Sequence, residues 1–81
     1  MARVSTTSDI RLTVQIAEEL RAFAERQEQL ALLVAGNLRL PPQLRRDGEL
    51  KAACYRLAMR DAEFIKERGE RELAQLAGEA P

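Results

Sequence analysis

Two adjacent prolines, Pro41 and Pro42, sit at the middle of an 81-residue chain and leave it few ways to fold. Each lacks an amide N–H, and each pushes the residue before it out of helical geometry, so neither belongs inside a helix. Both flanks are long and spaced like helices. Alanine, leucine, glutamate and arginine dominate them, and the aromatics are only Phe23, Tyr55 and Phe64. That composition favours helix. The prediction is all-α: a two-helix antiparallel hairpin with helices over about 10–36 and 49–77, turning at a Pro-Pro corner over 38–48. A flexible arm over 1–9 precedes this single domain of residues 10–78.

In the first flank, Ile16, Leu20, Phe23, Leu30 and Val34 recur at spacings of three, four and seven and share one helix face. Ala17, Ala24 and Ala31 form a strict seven-residue series beside it, where another helix could approach closely. Gln27 falls within the apolar stripe and reads as an edge residue. Ser8 or Asp9 can cap the start, and Gly36-Asn37 can close the end in a left-handed conformation. In the second flank Asp47 can act as cap. Leu50, Cys54, Leu57, Phe64 and Ile65, then Leu73 and Leu76, supply the apolar face, with Ala53, Ala58 and Ala62 alongside. Lys66/Glu70, Glu67/Arg71 and Arg68/Glu72 are opposite charges four apart. Gly69 marks either a close backbone approach or a frayed end, and Gly78 and Pro81 are stop signals. Folded at the corner, the helices would set Val34 opposite Leu50, Leu30 opposite Cys54 and Leu20 opposite Phe64, with Phe23 poorly matched to Asp61.

Two helices cannot enclose a core. Small proteins compensate with disulfides, metals or association. With one cysteine, Cys54, and no histidine, the first two are closed to this chain. A protein partner is therefore expected, with a homodimeric four-helix bundle the simplest form. The expected interface residues are Ile16, Leu20, Phe23, Leu30 and Val34 from the first helix and Leu50, Leu57, Phe64 and Ile65 from the second. Arg39, Arg45 and Arg46 at the corner, with half-exposed Tyr55, are candidate partner contacts.

Chemistry is hard to place here. Without histidine, Ser-His and Cys-His nucleophiles cannot form. Cys54 lies on the apolar stripe and reads as a small core residue. The glycines are isolated and make no phosphate loop. No enzymatic activity, cofactor, metal or small-molecule substrate is expected. The longest apolar run, Leu30–Ala35, falls far short of the ~20 residues a membrane span requires. The opening MARVSTTSD lacks the apolar core of a signal peptide, so a cytoplasmic protein without a membrane partner is expected. The composition suits a small adaptor, chaperone-like subunit or inhibitor in a larger assembly, of the kind bacteria and their phages use as accessory proteins.

Nucleic acid ranks behind protein as a partner. Acidic and basic side chains balance at 13 each, whereas nucleic-acid binders ordinarily carry a basic excess. Residues 39–60 do hold six basic against two acidic side chains, but no aromatics are interleaved for base stacking. A second route starts from Arg11-Leu12-Thr13-Val14-Gln15-Ile16, which alternates polar and apolar, followed by Ala17-Glu18-Glu19-Leu20. This stretch resembles the opening of ribbon-helix-helix repressors, in which strands from two chains pair and enter the DNA major groove. The resemblance implies a short N-terminal strand on which Arg11, Thr13 and Gln15 read bases while Leu12, Val14 and Ile16 are buried. It covers about the first third of the chain. The family's glycine turn is missing, because Glu25 to Leu30 continues the helical pattern, and Ile16-Ala17 supplies no cap.

Overall fold

The computed structural model describes residues 6–79, and the protein is an all-α helical hairpin. Helix α1 runs Thr7–Ala35 and helix α2 runs Pro42–Glu79, with no strand among the described residues. Residues 10–16 are therefore helix, and the strand that the alternating pattern suggested does not form. The start of α1 accounts for this. Thr6, not Ser8 or Asp9, is the N-cap: its hydroxyl accepts from the Asp9 N–H at 3.1 Å, while the Asp9 carboxylate accepts from the Thr6 N–H at 3.4 Å. This reciprocal pair satisfies two amides at a helix end that otherwise lack partners. Thr13 then donates its hydroxyl back to the Asp9 carbonyl at 2.9 Å. Residues 7–9 of the expected arm are thus helical, and residues 1–5 lie outside the described part.

The corner is tighter than expected. Gly36 ends α1 in right-handed geometry, its N–H donating to Leu32 O at 2.9 Å, so no left-handed residue closes the helix. Asn37 Oδ1 accepts from the Arg39 N–H at 3.0 Å and organises the turn. Helix α2 begins at once with Pro42, and the Pro41 carbonyl accepts from the Arg45 N–H. A proline in the first helical position loses nothing, because that amide has no intrahelical acceptor. Residues 42–48 are therefore helix and not corner, Asp47 lies inside α2 and caps nothing, and Gly78 does not stop the helix before Glu79.

The two helices meet through small side chains. The buried residues of α1 are Ile10, Ala17, Ala24 and Ala31, and those of α2 include Ala52 and Ala62. Gly48 and Gly69 are buried on the same line of α2. A Cβ on Gly48 would stand 2.8 Å from Ala31 O and 2.9 Å from Ala35 N, so backbone lies directly against backbone there. At the other end a Cβ on Gly69 would meet Val14 Cγ2 at 2.5 Å. Gly69 thus marks a close approach, not fraying. Removing side chains at these contacts lets the helices sit close and yields a thin layer, 63 × 25 × 13 Å. No large side chain is fully buried in it.

Candidate protein-binding face

The seam of α1 follows alternating steps of four and three through Ile10, Val14, Ala17, Arg21, Ala24, Glu28, Ala31 and Ala35. Ile16, Leu20, Phe23, Gln27, Leu30 and Val34 repeat that spacing one residue earlier, a rotation of about 100° around the helix. This rotation carries the large side chains off the seam and onto one broad side of the layer. Phe23 is 47% exposed while its neighbour Ala24 is 1% exposed. Gln27 is half-buried at the boundary.

On α2 the seam passes through Gly48, Ala52, Tyr55, Met59, Ala62, Lys66 and Gly69. Leu50, Leu57 and Phe64 recur every seven residues on the side turned away from α1, and the last two are 59% and 60% exposed. The expected pairings of Leu20 with Phe64, Leu30 with Cys54 and Val34 with Leu50 across the hairpin core are therefore not what closes it. Cys54 is exposed, not a core residue. The axial register was nonetheless right. Arg21–Glu63, Glu28–Arg56 and Glu18–Lys66 join the helices at the same relative level as those apolar pairs. The rotation was wrong, because bulk is a poor guide to burial where helices meet through alanine and glycine.

The two broad sides differ in chemistry. One carries the ion pairs: Arg21 Nε to Glu63 Oε1 at 2.6 Å, Arg56 Nε to Glu28 Oε2 at 3.3 Å and Lys66 Nζ to Glu18 Oε1 at 3.5 Å. A groove lined by Arg21, Glu63, Lys66, Glu67 and Glu70 runs along it. The hydrogen bond to Glu63, then its charge, hold the Arg21 guanidinium above its ordinary pKa. Lys66 thus pairs across the hairpin, while Arg68–Glu72 forms within α2 at 3.4 Å. The opposite side is apolar. One shallow groove there gathers Gln27, Leu30, Ala31 and Val34 with Tyr55 and Lys51, and another gathers Ile10, Thr13, Phe64, Ile65 and Gly69 with the charged Asp9, Arg68 and Glu72 at its rim.

At the corner, Arg45 and Arg46 line a groove with Pro42, Glu49 and Leu50. Arg39 and Arg46 are exposed, whereas Arg45 is half-buried with its Nε enclosed and unpartnered. Tyr55 is half-buried on the seam. Arg11, Thr13 and Gln15 lie on the first turns of α1, with Gln15 donating to Glu19 Oε1 at 3.4 Å. Among the described residues, no three Cys, Asp or Glu side chains gather as metal ligands would, and no helix is long and apolar enough to cross a membrane. Comparison with protein-family models, curated proteins and solved structures finds no match.

The line of small residues was visible in the sequence as the Ala17, Ala24, Ala31 series. Its continuation on α2 was missed. The signal was Gly48, Ala52, Ala62 and Gly69, small residues that fall on one four-three line of α2.

Proposed function

We propose that this protein is a non-catalytic protein–protein interaction module that works through the apolar side of its two-helix layer. One observation carries the reading: the hairpin consumes its small residues to close, which leaves Ile16, Leu20, Phe23, Leu30, Leu57 and Phe64 in water. Contiguous exposed apolar area larger than a few hundred Å² is uncommon on free monomers and marks a surface that another molecule covers. The hairpin has little else to stabilise it, since small side chains bury little area and hydrophobic stabilisation scales with that area. A covered face supplies the missing burial. An adaptor, chaperone-like subunit or inhibitor fits this description, with the ionic side left toward solvent in an intracellular assembly.

The repressor-like alternative receives no matching support. Its reading heads would need a paired strand, and Arg11, Thr13 and Gln15 are on a helix instead. The test is substitution on the face: Leu20→Glu and Phe64→Glu should abolish stable association with any protein partner while helical content is kept. Arg60→Glu should leave association unchanged. Salt-sensitive DNA binding by the wild type, lost in Arg11→Ala, would reverse the order of the two readings.

A further inference from the structure

We infer that the occupant of this face is a second copy of the chain, stacked with α1 antiparallel to its own copy about a two-fold axis level with Glu25. The inference rests on the interaction-module reading and names its partner. Helix α1 has two four-three columns about 100° apart. That is the pattern of a helix at the corner of a four-helix bundle, which packs on one neighbour through each column. The Ala17, Ala24, Ala31 column is used by α2 of the same chain. The Ile16 to Val34 column stays largely exposed, with Val34 at its end lying against Gly48 of α2.

That second column is self-complementary. Its steps, four, three, four, three and four, read the same in both directions. Antiparallel stacking therefore sets Ile16 against Val34 of the second copy, Leu20 against Leu30 and Phe23 against Gln27, with no overhang. The hairpin register then levels Cys54 with Phe64 of the second copy and Leu57 with its Asp61. Two other two-fold arrangements fit worse. Placing α1 over α2 of the copy sets Phe23 on Asp61 and Ile16 on Arg68, whereas the antiparallel stack keeps every contact of this α1 column within the column itself. Parallel α1 helices would leave the two α2 edges on opposite flanks and uncovered. The area suffices: the column is about 27 Å long. With a layer 25 Å wide, it gives a footprint of about 700 Å² per copy, in the range of specific stable interfaces.

The test begins with the wild-type chain, whose mass in solution should be that of a dimer. In a Cys54→Ser background, Leu20→Cys together with Leu30→Cys should give a covalent dimer on mild oxidation, because positions 20 and 30 meet across the axis. Within one helix they are about 15 Å apart, too far for a disulfide. Leu20→Cys alone should not cross-link. Ready cross-linking of Leu20→Cys alone would overturn the antiparallel arrangement, and so would failure of the double variant in a confirmed dimer. A wild-type monomer would overturn the second copy as occupant. In that monomer a freely reactive Cys54 thiol would leave the module reading standing with a different protein as partner, whereas a protected thiol would remove both.

Discussion

The seam and the apolar face of this hairpin are neighbouring columns of the same helices, and they follow opposite rules. The most buried positions of the seam are residues that occupy little: Ala24, Ala52 and Ala62 are essentially inaccessible, and Gly48 has room for no side chain at all. The face is built from large apolar residues, yet Phe23 and Leu57 stand about half exposed. Close helix approach and broad apolar coverage are separate tasks, and α1 assigns each to its own column.

The comparison is broken most severely by adding bulk to the seam. Ala62→Leu should cost about 3 kcal/mol or more by forcing the helices apart, as overpacking a closed contact does. Thermal unfolding followed by helical ellipticity measures it. The two glycines sharpen the same point. Gly48→Ala gains about 1 kcal/mol of helix propensity. Its new Cβ nevertheless runs into backbone atoms of Ala31 and Ala35, which cannot rotate away. A net loss of about 1–2 kcal/mol is expected. At Gly69 the obstacle is a Val14 methyl group. Rotating that stiff side chain costs about as much as alanine gains, so Gly69→Ala should come out within about 0.5 kcal/mol of wild type. Equal losses at both glycines would contradict the difference in what each one faces.

Smaller effects belong to the ionic side. Exposed ion pairs contribute little, so Arg21→Met should barely move the melting temperature. Arg21 has a raised pKa. Its contribution is therefore complete below the ordinary arginine value and is lost only as pH climbs through the higher folded value. This group should add no slope to stability around neutral pH, and a melting series in buffers of increasing pH checks that.

How much of this was legible beforehand depends on the residue. Pro41 and Pro42 marked the turn, and the spacing of both flanks marked two helices in a definite register. The ends were less legible. The Thr6–Asp9 capping box outcompeted the Ser8 and Asp9 caps, and Pro42 was placed in a corner although a first-turn proline is compatible with helix. The rotation of the helices was misread because hydrophobic periodicity weighs side chains by size. Leu20 and Phe64 outweighed Ala24 and Ala62 in that measure, while the energetics of a close seam reward the smaller pair. The 10–16 stretch was ambiguous for a related reason. Ile10 and Val14 belong to the seam, whereas Leu12 and Ile16 are exposed, and together they imitate the alternation of a strand.

The central claim is that the small column closes the hairpin and the large column lies outside it. Phe23 and Ala24, adjacent in sequence and on different columns, test it most directly. The decisive measurement compares the melting temperatures of Phe23→Ser and Ala24→Leu at the lowest concentration at which helicity can be followed. Ala24→Leu should melt about 10 °C or more below wild type, while Phe23→Ser should stay within a few degrees of it. A large loss for Phe23→Ser in the separated chain, with Ala24→Leu tolerated, would contradict it.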